Sequence, residues 1–202
     1  MPTPEFAPLN DEIKSTDLLK DFKKNYPNAL SMNQSLIIKM GFKKLPALGM
    51  CAYNIENNHI AISLLTTTGM KLIEAEKIKE KIKVLFVMPG LMKNQNNAKN
   101  LIKDVQSIYF HPCEKPTSCE VSKYNIIYTF KESQHKKVKL FFGKTKNDNN
   151  IKLRIKQIFD NDRVITEVYY YKYKKNIPIE IGLKNIKFNY SLQIKTREIF
   201  GG

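Results

Sequence analysis

The sequence predicts a mainly β fold, one large and strongly curved antiparallel sheet with an apolar concave side and a helix across it. Three observations predict this. Short segments alternating between apolar and polar residues recur along most of the 202 residues. The last of them, from Ile186 to Thr196, is apolar or threonine at every even position and polar at every odd one, which describes a strand with one dry and one wet face. Between the segments stand Asn- and Gly-containing turns, and a single long stretch changes to helical spacing. The pattern gives roughly eleven strands, five before that helix and six after it.

Taken in order, residues 1–14 form an N-terminal segment expected to be flexible. A first helix over 15–24 is opened by Ser15 or Thr16, places Leu18, Leu19 and Phe22 on one side, and is stopped by Pro27. Strands follow at 35–43, 47–56, 59–67, 69–77 and 81–88. In the first of these Leu36, Ile38, Met40 and Phe42 share one face while Lys39 and Lys43 share the other. Glu56-Asn57-Asn58-His59 is a hairpin turn because Asn tolerates left-handed backbone, and Thr68-Gly69 turns the next hairpin. Met88-Pro89-Gly90 ends this meander. Over 94–109 Ala98, Leu101, Ile102, Val105, Ile108 and Tyr109 fall on one helical stripe, and such a stripe has to lie on an apolar surface. Strands then resume at 123–132, 136–144, 150–160, 163–174, 177–184 and 186–199. No repeat longer than the hairpin is evident, and residues 1–202 read as one domain.

Composition bounds the function. A hydrophobic share of 42% with 11 Phe and 10 Tyr is ample for a core. No apolar run approaches the roughly 20 residues of a membrane-spanning helix, and the first residues lack the regions of a signal peptide, so the chain as given reads as soluble. A secreted precursor stripped of its leader would read the same way. Lys and Arg number 34 against 19 Asp and Glu, a formal charge of +15 that favours anionic partners. The lysines alternate with apolar residues in Lys137-Val138-Lys139-Leu140 and Ile151-Lys152-Leu153-Arg154-Ile155-Lys156, which puts them on the outer faces of strands. That pattern is a solvated basic surface first and an anionic-membrane contact second.

Catalytic motifs are missing from the sequence. It has no Gly-rich phosphate loop and no Gly-x-Ser-x-Gly elbow, and the expectation is a non-enzyme without cofactor or metal. His59 and His135 fall in turns, and Phe159-Asp160-Asn161-Asp162-Arg163 reads as a hairpin turn rather than a calcium loop. Cys51 lies among alternating residues with no histidine in local reach and reads as a buried, inert thiol. Cys113 and Cys119 enclose five residues, a spacing that permits a disulfide or two separate thiols, or a zinc site with His111 that would lack a fourth ligand. In Tyr169-Tyr170-Tyr171-Lys172-Tyr173-Lys174 aromatics and bases interleave as in a nucleic-acid stacking platform, yet aromatics are also ordinary strand formers. The second explanation is the simpler one, and it argues against nucleic acid as a partner.

Three strings carry a resemblance to a known family. They are Ala61-Ile62-Ser63-Leu64-Leu65-Thr66-Thr67-Thr68-Gly69-Met70-Lys71-Leu72-Ile73-Glu74, Val105-Gln106-Ser107-Ile108-Tyr109-Phe110, and Pro178-Ile179-Glu180-Ile181-Gly182-Leu183-Lys184-Asn185 with Tyr190-Ser191-Leu192-Gln193-Ile194. With the order of elements, they resemble the lipoprotein-sorting proteins typified by LolA and LolB over residues 30–198, most of all a LolB-like branch of bacterial outer-membrane lipoproteins. The resemblance implies an incomplete antiparallel β-barrel whose helices form a lid over an apolar cavity for acyl chains of lipids or lipoproteins. It also implies a periplasmic, monomeric protein attached to the outer membrane. The expected cavity walls are Leu36, Ile38, Met40, Ile60, Ile62, Leu64, Val84, Phe86, Phe188 and Tyr190, beneath a lid presenting Leu101, Ile102 and Val105. Two departures stand out: this sequence has no lipidated N-terminal cysteine, and its Thr68, Gly69, Met70 turn, the expected membrane-facing turn, offers Met70 where the family presents an exposed leucine.

Overall fold

A computed structural model describes residues 2–9, 15–89 and 95–200. Residues 1 and 10–14 of the expected flexible segment, together with Gly90 and residue 94 of the expected lid, lie outside the described residues. The elements are β1 (Phe6–Ala7), α1 (Ser15–Asn25), β2 (Ala29–Met40), β3 (Lys43–Asn54), β4 (His59–Leu65), β5 (Lys71–Ile78), β6 (Lys81–Val87) and α2 (Gln95–Tyr109). They continue with β7 (Ser118–Val121), β8 (Ile126–Lys131), β9 (Lys136–Thr145), β10 (Asp148–Asp160), β11 (Arg163–Lys174), β12 (Ile177–Asn185) and β13 (Tyr190–Phe200). The thirteen described strands belong to one open antiparallel sheet. Eleven match the expected series. The two additions, β1 and β7, have two and four residues, too short for a legible alternation.

Contacts divide the chain into two compact units, Met1–Tyr26 with Pro112–Asn189 and Pro27–His111 with Tyr190–Gly202. In the first the strand order is β7-β8-β9-β10-β11-β12, with β1 added to the end of β9. Leu19 of α1 is buried, and Phe22 meets Phe142 edge-on at 5.1 Å between ring centroids. Tyr128 donates its hydroxyl to the Ser15 carbonyl at the helix start, and Lys23 Nζ donates to the Cys113 and Glu114 carbonyls at 3.0 and 2.8 Å. Among the described N-terminal residues Phe6 pairs with Thr145, and Leu9 N donates to Lys123 O at 2.8 Å.

Phe6 occupies space that only a glycine leaves open. A Cβ on Gly143 would stand 2.4 Å from the Phe6 ring and 2.9 Å from the Tyr124 carbonyl oxygen. The carbonyl belongs to backbone and cannot swing aside. Gly143→Ala is therefore expected to expel β1 from β9 at a cost of about 1–3 kcal/mol, measured as a lower urea midpoint. An unchanged midpoint would mean that β1 contributes nothing to stability.

In the second unit the order is β6-β5-β4-β3-β2-β13. Both expected turns form, Asn58 with φ 48° joining β3 to β4 and Gly69 with φ 88° joining β4 to β5. Two expectations about strand ends are corrected. Residues 186–189 form a turn, with Asn189 at φ 52° and the Phe188 N–H donating to Asn185 Oδ1 at 3.1 Å, so the last strand starts at Tyr190. Likewise β2 ends at Met40 because Gly41 turns with φ 56°, which leaves Phe42 fully exposed at a hairpin tip rather than on a strand face.

The expected outer placement of the lysines also needs correction in β10. A register shift between Leu153 and Ile155 breaks the alternation. It carries Arg154 and Lys156 inside the first unit, where both are buried. Lys156 lies in register between Leu140 and Val168, and burial lowers its pKa to about 7 against the raising influence of Glu132.

Candidate functional site

The second unit puts the sequence-selected apolar residues on one buried face. Leu30, Met32, Leu36 and Ile38 of β2 alternate inward, as do Ala47, Cys51 and Tyr53 of β3 and Ile60, Ile62 and Leu64 of β4. Leu192 and Ile194 extend the face on β13. Gly49 lets it close up: a Cβ there would stand 2.5 Å from Leu36 Cδ1 and 3.0 Å from Leu64 Cδ2. Helix α2 packs on β4, β5 and β6, and its stripe of Ala98, Leu101, Ile102, Val105, Ile108 and Tyr109 is buried.

The remaining wall residues are placed differently. Val84 is half-buried, in register with the buried Ala75, but Phe86 pairs with Glu74 and is 38% exposed. A bulge between the two pairs reverses the alternation that put Val84 and Phe86 on one side. Met40, at the end of β2, is 39% exposed, and Phe188 sits in the turn before β13. Tyr190 is half-buried and reaches the helix. Thr68, Gly69 and Met70 are all exposed in a turn closed by Thr66, whose Oγ1 accepts from Met70 N at 3.0 Å.

Polar contacts also hold α2 among these apolar side chains. Gln34 Nε2 donates to the Tyr109 hydroxyl oxygen at 2.7 Å and to Thr196 Oγ1 at 3.3 Å. The Tyr190 hydroxyl donates to the Asp104 carboxylate, which is buried. Tyr109 also stacks on Tyr53, 4.9 Å between centroids. Burial, reinforced by Cys51 and opposed by the Gln34 hydrogen bond, holds the Tyr109 hydroxyl well above its ordinary pKa, while burial pushes the Cys51 thiol up to about 12. Both are neutral at any physiological pH, and Cys51 is buried as expected. Sequence reading missed Gln34 and Asp104 as site residues. The signal was there: each is a polar residue in the phase of its element's apolar positions.

Cys113 and Cys119 are both exposed. Cys119 is fixed in β7 opposite Tyr128, while the Cys113 carbonyl is tied to Lys23 of α1. Among the described residues no three His, Cys, Asp or Glu side chains cluster as metal ligands. In the tyrosine run of β11, Tyr169 and Tyr170 are buried and Tyr171 and Tyr173 half-buried. A bulge around Tyr171 breaks its alternation, and the hydroxyls of Tyr169, Tyr171 and Tyr173 donate to Glu167 Oε2, the Pro2 carbonyl and the Leu153 carbonyl.

No curated protein matches the chain at a significant level. Among solved structures it is similar to a DUF1329 family protein from Desulfovibrio piger, with 10% identity and a TM-score of 0.48 over 91% of this chain and 90% of that one. It is also similar to a domain assigned as an outer membrane lipoprotein-sorting protein from Vibrio parahaemolyticus, with 10% identity and a TM-score of 0.47 over 91% of this chain and 90% of that one. The family model described as "Protein of unknown function (DUF3261)" matches residues 33–198, from the middle of β2 almost to the end of β13, and the chain belongs to that family.

Proposed function

We propose that the second unit is a non-enzymatic acyl-chain binding module of the bacterial envelope, taking lipid or lipoprotein chains between its apolar sheet face and α2. The observation that carries this reading is the way α2 is held, by one apolar stripe together with discrete polar contacts such as Gln34 to Tyr109 and Tyr190 to Asp104. Apolar contact alone is non-directional, whereas buried hydrogen bonds make one docked register preferred and so suit a helix that leaves and returns. Each methylene of a chain entering in its place contributes about 0.8 kcal/mol, so affinity needs no polar recognition. In this reading the protein works as a monomer in the periplasm, attached to the outer membrane, with the Thr68–Gly69–Met70 turn facing lipid.

A second reading has its own observation. Ile102 and Ile108 of α2 and Ile60 of the sheet are wholly inaccessible, as in a helix that permanently fills the face with its own side chains. The two readings separate in native mass spectrometry of protein purified from a lipid-containing extract. The carrier reading expects added masses of acyl lipids that disappear on delipidation and return with added fatty acid. Unliganded protein under every loading condition would leave the structural reading.

A further inference from the structure

The surface of the second unit opposite α2 carries an apolar patch that the folding of the unit does not use. On β2, β3 and β4 the residues alternating with the buried set point outward, and several are large and apolar: Ile37, Leu48 and Met50 are 38, 45 and 60% exposed. The register makes them contiguous. Ile37 pairs with Pro46, also exposed, and Leu48 pairs with Leu65, partners of the kind that stand about 5 Å apart across a sheet. At the near end the β2–β3 hairpin presents Phe42, fully exposed.

The charges at the hairpin end of the patch have one sign. Lys39 and Lys44 face each other across the hairpin, one row behind the tip, where like charges in register repel. Lys43 adjoins Phe42, and Lys195 and Arg197 of β13 flank the patch beside Ser35, with Arg197 Nε donating to Ser35 Oγ at 3.1 Å. The nearest acids are already engaged: Glu74 receives Lys71 at 2.5 Å, and Glu198, at the far end, receives Asn33 Nδ2 at 2.8 Å. An aromatic tip, an apolar flank and a basic collar about 7 Å behind the tip match the layering of acyl chains beneath anionic headgroups. We infer that the β2–β3 hairpin and the outer face behind it dock onto an anionic lipid surface. This stands apart from acyl-chain binding under α2, since it uses the opposite face of the sheet and needs no helix movement.

Co-sedimentation with vesicles tests it, comparing phosphatidylcholine alone with phosphatidylcholine containing phosphatidylglycerol. Phe42→Ser is expected to weaken binding to the anionic vesicles by about tenfold, with no change in melting temperature because the ring makes no packing contact to lose. Lys39→Glu with Lys44→Glu is expected to abolish the preference for anionic over neutral vesicles, a loss of about tenfold or more. Lys131→Glu with Lys136→Glu, in the first unit, serves as the matched control and should leave most of the binding. Unchanged binding of Phe42→Ser overturns the inference. So does an equal loss in the control, which would assign binding to diffuse charge, or a dimer in sedimentation velocity that Phe42→Ser dissolves, which would assign the face to a second copy of the chain.

Discussion

Asp148→Ala is expected to destabilise the protein by about 3–5 kcal/mol, because it strands a buried guanidinium. Arg154 is wholly inaccessible, and its Nη2 donates to Asp148 Oδ2 at 2.7 Å and to the Asn150 carbonyl at 3.2 Å, while Nε donates to the Gly143 carbonyl at 3.2 Å. Its carbon Cζ lies 5.7 Å from the centre of the Tyr173 ring. Those neutral partners do not offset a desolvated charge; only the carboxylate does. The pair also sets a pH dependence. Burial pushes the Asp148 pKa up, but the Arg154 and Asn150 hydrogen bonds and the Arg154 charge outweigh it and hold the carboxyl below its ordinary value of 3.8. The unfolded state therefore binds the proton first, so this contribution is complete above the ordinary carboxylate range and is lost as pH falls through the lowered folded value. Urea unfolding at pH 7 and pH 3 should show the variant well below the parent at neutral pH, with the gap narrowing in acid. Replacing both residues, Asp148→Ala with Arg154→Met, should recover part of the loss, since a packed apolar side chain has no charge to desolvate. A neutral-pH loss under 1 kcal/mol in Asp148→Ala would show that Arg154 is solvated or compensated elsewhere.

Arg154 also marks where sequence reading stops. Strand alternation located eleven of the thirteen described strands, the hairpin turns at Asn58 and Gly69, and the apolar stripe of α2, because each is a local periodicity set by pleat or helical pitch. The same rule failed at three inserted residues. The bulges in β6, β10 and β11 moved Phe86 to the side opposite Val84, took Arg154 and Lys156 inside, and broke the alternation of the tyrosine run. A bulge is a pairing defect between two strands, and neither strand announces it alone. The end of β2 was misplaced for a related reason: Phe42 keeps the alternation going by residue type, but Gly41 has already turned the chain. At the candidate site most of the apolar residues, though not Met40, Phe86 or Phe188, were legible by phase, whereas the contacts of Gln34 with Tyr109 and Tyr190 with Asp104 join residues 75 and 86 positions apart in the chain. Such pairs are fixed by packing and leave no local trace beyond a polar residue in an apolar phase.

Leu101→Ala in α2 is expected to cost about 2–5 kcal/mol, since it removes a buried leucine from the interface that docks the helix. Val105→Ala, at the next turn of the same stripe, should cost less, because fewer methyl groups leave. What distinguishes the two functional readings is where that loss appears. If acyl chains bind only when α2 is displaced, the apparent affinity of the parent is reduced by the small fraction of molecules in which the helix is off. Weakening the docked state by about 2 kcal/mol raises that fraction roughly thirtyfold while it stays small, and the dissociation constant of a fluorescent fatty acid should fall by a similar factor. The melting temperature of the empty protein should drop at the same time, and saturating ligand should recover much of the difference, because ligand stabilises the open form equally in parent and variant. Asp104→Asn gives an independent arm by weakening the Tyr190 contact without opening a cavity in the apolar stripe. A lower melting temperature in Leu101→Ala with no gain in acyl affinity would make α2 ordinary core, and the apolar face beneath it would then be a surface the protein fills for itself.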